Sequence, residues 1–117
     1  MRSRYALFHG PGQPLVLEQS EVGQLSAGEV LVTIELCTLC ASDLHSYQGH
    51  REVPCPTVLG HEMVGRLVEI GGDGPLLDAN SVPIERGDRL TWSITAHCGE
   101  CFFCLHGLPQ KCIELFK

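Results

Sequence analysis

Aromatic side chains make up only 6% of this 117-residue chain, against thirteen glycines and seven prolines. That balance speaks against a helical bundle and for many turns joining short strands. Positive charge is also in deficit. Eight Lys and Arg stand against fourteen Asp and Glu, a formal charge of −6, and this argues against nucleic acid as a partner, since phosphate binding needs a basic face. No segment approaches the length of a membrane span. The basic start, MRSRYALFHGPG, is interrupted from Gly10 to Pro14 before an apolar stretch of signal length develops. Low-complexity runs, charge blocks and internal repeats are missing. With 44% hydrophobic residues the chain reads as one globular domain, residues 1–117, long enough to bury a real core.

Cysteine, by contrast, is plentiful. Four of the seven stand in CGECFFCLHGLPQKC, with Cys98, Cys101, Cys104 and Cys112 at the spacing C-x2-C-x2-C-x7-C. A structural Zn²⁺ site needs four soft thiolates brought together in a tetrahedron on a compact loop, and two-residue spacers allow the wrap. Gly99 and Gly107 permit tight turns there, and Pro109 opposes continuation as helix. A disulfide knot is the competing reading. Such regular spacing without a secretory signal favours metal, so residues 97–113 are expected to form a structural zinc lobe. An odd total of cysteines with four committed to metal fits a reducing cytoplasm.

The order of elements is mainly β. Tyr5 to Phe8 and Leu15 to Glu18 are short strands around the turn Gly10–Pro14. Glu29 to Leu36 (EVLVTIEL) is the strongest, with Val30, Val32 and Ile34 expected on one face and Leu31, Thr33 and Glu35 on the other. Ser42, Asp43 and Leu44 suit a short helical turn. Met63 to Ile70 and Arg89 to Thr95 are further strands, the polar stretch Gly71–Gly87 is a surface excursion, and a helix is expected to begin near Glu114. Short strands at frequent intervals predict a small β-barrel with little helix.

Cys40, His61 and Glu62 form a second group of possible Zn²⁺ ligands, each at a strand end or turn, where side chains of a barrel converge. Alone, His61 is an ordinary histidine and Cys40 an ordinary buried thiol. Asp43 changes this, because a metal-bound imidazole needs its other N–H held by an acceptor. Ser42 and His45 lie three residues apart, so on a helical turn they share a face, and a hydroxyl backed by an imidazole suits a proton relay.

The pattern Gly60-His61-Glu62-x2-Gly65-x5-Gly71 resembles the signature of the zinc-containing medium-chain alcohol dehydrogenases. Cys40-Ala-Ser-Asp-Leu-His45 is similar to that family's catalytic-zinc turn, and the four-cysteine lobe to its structural-zinc loop. Gly28-Glu29-Val30-Leu31-Val32 and Gly87-Asp88-Arg89 match scaffold motifs in the same order, so the likeness covers nearly the whole chain. The resemblance implies a GroES-like catalytic domain. Cys40 and His61 would then be catalytic-zinc ligands, and Glu62 either a ligand or a carboxylate beside the metal. Asp43 would orient His61, while Ser42 would hold the substrate hydroxyl and pass its proton toward His45. The family's metal makes an alcohol more acidic, and hydride passes to NAD or NADP. A parent enzyme of this kind acts on small-molecule alcohols and assembles as a homo-oligomer.

The likeness has limits. No G-x-G-x-x-G follows any strand and no βαβ unit fits after Cys112, so the family's nicotinamide-binding domain has no counterpart here. The chain is therefore expected to correspond to the N-terminal part of such an enzyme and to be inactive alone. Ala41 stands where liver-type members carry a basic residue, and a small residue there resembles the polyol and threonine dehydrogenases. Cys37 and Cys55 match no ligand position. The alternative from another class is a zinc-stabilised β-barrel acting as a binding module without catalysis, since fold alone does not fix function.

Overall fold

A computed structural model describes residues 1–115. Strand β1 (Arg2–Phe8) turns back into β2 (Val16–Glu21), and β3 (Val30–Thr38) runs into helix α1 (Ala41–Tyr47). There follow β4 (Thr57–Val58), β5 (Glu62–Ile70), β6 (Arg89–Thr91) and the short helix α2 (Phe102–Leu105), with a 3-10 turn at Pro109–Lys111. The strands form two antiparallel three-stranded sheets, ordered β2-β1-β4 and β3-β5-β6. The class is mainly β, as expected. No helix among the described residues is long and apolar enough to cross a membrane.

Two expectations change in detail. Arg89–Thr95 is a strand only as far as Thr91. Beyond it, Ser93 Oγ donates to the Thr95 carbonyl at 2.6 Å and accepts the Thr95 N–H at 3.3 Å, so a hydroxyl turn replaces the ladder. The strict alternation expected along β3 is also broken. The register with β5 shifts between Leu31 and Val32, and again between Ile34 and Leu36. Glu35 is the unpaired residue of the second irregularity. A bulge re-aims the side chain it carries, and here Glu35 binds Arg66 Nε at 2.9 Å and Arg89 Nε at 2.8 Å, tying all three strands of the sheet. Partial burial would raise the Glu35 carboxyl, but both guanidinium groups outweigh it and hold the group below its ordinary range.

The Gly71–Gly87 excursion is ordered by its own polar groups. The Asp78 carboxylate accepts the N–H of Asn80 at 2.8 Å and of Val82 at 2.9 Å, and Leu77 bridges to Pro83. Glu114 lies in a turn, and residues 116–117, where its expected helix would continue, lie outside the described residues.

The expected core is thin. Among the described residues the buried hydrophobic side chains are Phe8, Leu67 and Cys112, while Leu17, Leu36, Leu39, Phe102, Leu105 and Ile113 are exposed. The radius of gyration is 16.2 Å, against about 13 Å for a compact chain of this length. The two small sheets make no extensive contact with one another, so each leaves apolar side chains uncovered.

Candidate metal centres

The first centre is the cysteine lobe. Cys98 and Cys101 sit on the loop after β6, Cys104 lies within α2, and Cys112 follows the 3-10 turn. All four are free thiols, and their donor atoms lie within 4.8 Å of one another. Sγ separations are 3.5 Å for Cys101–Cys104, 3.6 Å for Cys98–Cys112 and 4.0 Å for Cys98–Cys104. A tetrahedron with Zn–S bonds of about 2.3 Å has edges of about 3.8 Å, so the spacing is that of a metal cage and far from a disulfide. Backbone amides converge on the sulfurs as well. Cys101 N–H donates to Cys98 Sγ at 3.4 Å, while Cys98 and Glu114 N–H donate to Cys112 Sγ at 3.4 and 3.3 Å. The amides of Cys104 and Ile113 bring the Cys101 thiol down to about 6. Cys104 is pushed the other way, to about 12, by burial and by its neighbouring thiols. Four thiols this close do not all ionise unless a cation shares their space.

The second centre lies where α1 meets the start of β5. Cys40 is the N-cap of α1, with extended backbone at φ −103° and ψ 178°. Asp43, three residues on, reaches back so that its Oδ2 accepts the Cys40 N–H at 3.0 Å, which is one half of a capping box. Its other oxygen, Oδ1, accepts the Gly60 N–H at 3.1 Å and lies 3.4 Å from His61 Nδ1. Burial alone would raise the Asp43 carboxyl, but the two amides and His61 outweigh it and hold it below the usual carboxylate range. Gly60 makes the turn at φ +100°, and a Cβ there would stand 2.7 Å from Cys37 Sγ, so only glycine fits.

With Nδ1 facing Asp43, His61 presents Nε2 to Cys40 Sγ at 3.5 Å. Zn–S and Zn–N bonds at a tetrahedral angle give the same separation of about 3.5 Å. Glu62 joins them, with one donor atom of each residue within 4.8 Å of the others. Its Oε2 accepts a hydrogen bond from Thr38 Oγ1 at 2.7 Å. Ser42 Oγ lies 2.9 Å from Cys40 Sγ. His45 stands on the exposed side of α1 with its ring 5.8 Å from that of His50, and among the described residues no hydrogen bond joins it to Ser42. An apolar cleft of about 580 Å³ opens beside the centre, walled by Leu15, Leu39, Ala41, Leu44, Tyr47 and Leu59.

The structure thus gathers Cys40, Asp43, His61, Glu62 and Ser42 at one place, and the four lobe cysteines at another. Thr38 and Gly60 belong to the second centre as well, although no motif singled out Thr38 and Gly60 figured only as part of the Gly60-His61-Glu62 pattern. The signal for Thr38 lay in register, because Thr38 pairs directly with Glu62 across β3 and β5.

Residues 26–117 match the alcohol dehydrogenase GroES-like domain. The chain belongs to that family. Among relatives of this alcohol dehydrogenase domain, zinc-type alcohol dehydrogenase B of Aspergillus flavus is 32% identical over 111 residues, covering 95% of this chain and 24% of the relative. An alcohol dehydrogenase structure from Thermotoga maritima superposes with a TM-score of 0.83 at 32% identity, covering 98% of this chain and 32% of that one. A second, from Escherichia coli CFT073, was solved with NADH and gives a TM-score of 0.76 at 32% identity, with 98% and 31% covered. The chain spans a quarter to a third of the length of these relatives.

Proposed function

We propose that this domain is the zinc-holding, alcohol-binding part of an oxidoreductase that moves hydride between a small-molecule alcohol and NAD or NADP. One observation carries the reading. Cys40 and His61 face each other at metal-ligand spacing, while Asp43 engages the opposite nitrogen of the His61 ring.

Zinc held by Cys40 and His61, with Glu62 beside it, would supply Lewis acidity toward an alcohol oxygen. The residues of the chain do the rest. Asp43 favours the proton on Nδ1 of His61 and leaves Nε2 its lone pair. The Ser42 hydroxyl, beside the Cys40 sulfur, orients the substrate hydroxyl and takes its proton toward His45, one helical turn further along α1. Leu39, Leu44, Tyr47 and Leu59 exclude water from the substrate's carbon skeleton. Ala41, small where liver-type members carry a basic residue, is the likeness on which a polyol-type substrate is proposed. The four-cysteine lobe, Cys98, Cys101, Cys104 and Cys112, holds a structural zinc.

The chain does not fit a nicotinamide coenzyme, having no G-x-G-x-x-G in its sequence and no βαβ unit among the described residues. They are inactive by themselves on this reading. The exposed apolar side chains, among them Leu17, Leu36, Leu39 and Leu44, are where coenzyme-binding and further catalytic structure would pack.

The test is metal stoichiometry on the purified chain. Two zincs per chain are expected, falling to one in Cys40→Ala and one in Cys98→Ala. A Cys40→Ala chain that keeps two would overturn the second centre.

A further inference from the structure

Thr38 is the last residue of β3 and Glu62 the first of β5, and the two are direct cross-strand partners. Residues so paired carry their side chains on one face of the sheet, about 5 Å apart at Cβ. The Thr38 hydroxyl uses that closeness, with its Oγ1 donating to Glu62 Oε2 at 2.7 Å. A hydroxyl bonded to a carboxylate at this length is a charge-assisted bond, among the stronger kinds. Threonine is also stiff at χ1, so the hydroxyl is a fixed anchor for an otherwise long and flexible partner.

The carboxylate has two oxygens. Thr38 engages Oε2, and Oε1 has no other hydrogen-bond partner among the described residues. Glu62 nevertheless lies in the sphere of Cys40 and His61, within 4.8 Å of both donor atoms. The side chain is exposed, and among the described residues its hydrogen bond is the one to Thr38.

We propose that Thr38 is a positioning residue for the second metal centre: its hydroxyl pre-aims Glu62 and commits it to offering the metal one oxygen, Oε1. This rests on the reading of Cys40, His61 and Glu62 as a metal site. Without the hydroxyl, Glu62 must be ordered at the moment of metal binding, and both of its oxygens become available.

The experiment is titration of the 117-residue chain with Co²⁺ after one equivalent of Zn²⁺ has filled the cysteine lobe. Visible absorption reads coordination geometry, and the titration gives affinity. Thr38→Val keeps shape and strand propensity but loses the hydroxyl, and Thr38→Ser keeps the hydroxyl. Thr38→Val is expected to weaken Co²⁺ by about tenfold, as loss of an outer hydrogen bond to a ligand does, and to alter the visible bands. Thr38→Ser should stay close to wild type, and Thr38→Val should add nothing in a Glu62→Gln background. Wild-type affinity and bands in Thr38→Val, while Cys40→Ala and Glu62→Gln both weaken binding, would overturn the role of Thr38 alone. Unchanged Co²⁺ binding in Cys40→Ala would instead overturn the metal-site reading beneath it.

Discussion

Asp43 Oδ1 stands 3.4 Å from His61 Nδ1, while His61 Nε2 faces Cys40 Sγ on the other side of the ring. One carboxylate therefore caps the helix that carries Cys40, ties down the Gly60 turn and sets the tautomer of the facing imidazole. Removing it is expected to lower zinc affinity at this centre by about 10–100-fold. Chelator competition on Asp43→Ala should show that loss while the cysteine lobe keeps its zinc. Asp43→Asn, which retains an acceptor oxygen, should fall between the two. Undiminished affinity in Asp43→Ala would mean the carboxylate only caps the helix.

The two centres should differ in how firmly they keep metal. Four thiolates close the lobe, whereas the second centre gathers three protein donors, one of them an exposed carboxylate shared with Thr38. A closed four-thiolate site holds its metal outright, and a three-donor site keeps a position open. Under graded chelation one zinc per chain should persist after the other has gone. Two equally resistant zincs would contradict the asymmetry.

Gly65 should be indispensable to the β3–β5 pair. A Cβ there would press on Val32 and come within 2.7 Å of the Thr33 carbonyl oxygen. Backbone does not yield as a side-chain tip does, so Gly65→Ala is expected to cost about 1–3 kcal/mol in overpacking. Denaturant unfolding checks this, and a stability within error of wild type would show that the strands can separate slightly at no cost.

The cysteine lobe was legible because it rests on short-range spacing, whereas His61, 21 residues from Cys40, was joined to Cys40 and Asp43 by ligand chemistry and the family resemblance. C-x2-C predicts a shared metal, but the reach of Asp43 back to the Cys40 N–H was not read from the sequence. The strands were legible wherever β-branched residues run together, as in Val30 to Ile34. What escaped the sequence depends on pairing between distant strands. Glu35 read as one member of an alternating strand, and only the register shift beside it shows that it meets Arg66 and Arg89. Thr38 was hidden for the same reason. The thin core was invisible too, since composition counts apolar residues without saying whether the domain can cover them.

The Glu35 bridge gives a dependence on pH with a definite sign. Its folded-state carboxyl is depressed below the ordinary 4.5, the two arginines outweighing partial burial. A depressed carboxylate contributes stability that is present above its unfolded pKa and disappears as pH falls through the folded value. Glu35→Gln should thus be less stable than wild type at pH 7, and the gap should close below pH 4.5. Denaturation midpoints measured at several pH values would show this. A gap that persists unchanged at the acid end would assign the difference to packing rather than charge.

In an enzyme that joins this domain to a coenzyme-binding partner, loss of His45 should matter less than loss of Cys40 or His61. Ligand removal takes away the metal itself, whereas a missing relay leaves water to carry the proton more slowly. General acid–base groups contribute on the order of 10²–10⁴-fold, which sets the ceiling for the effect. His45 sits exposed on α1 beside His50, open to solvent as the outer end of a relay should be. His45→Gln is expected to slow turnover most toward acid pH, where hydroxide is too scarce to replace the imidazole as base. The measurement is kcat against pH for His45→Gln and His50→Gln together with wild type. A His45→Gln profile that matches wild type throughout would leave His45 a surface histidine, and a defect carried by His50→Gln instead would move the relay one residue cluster along.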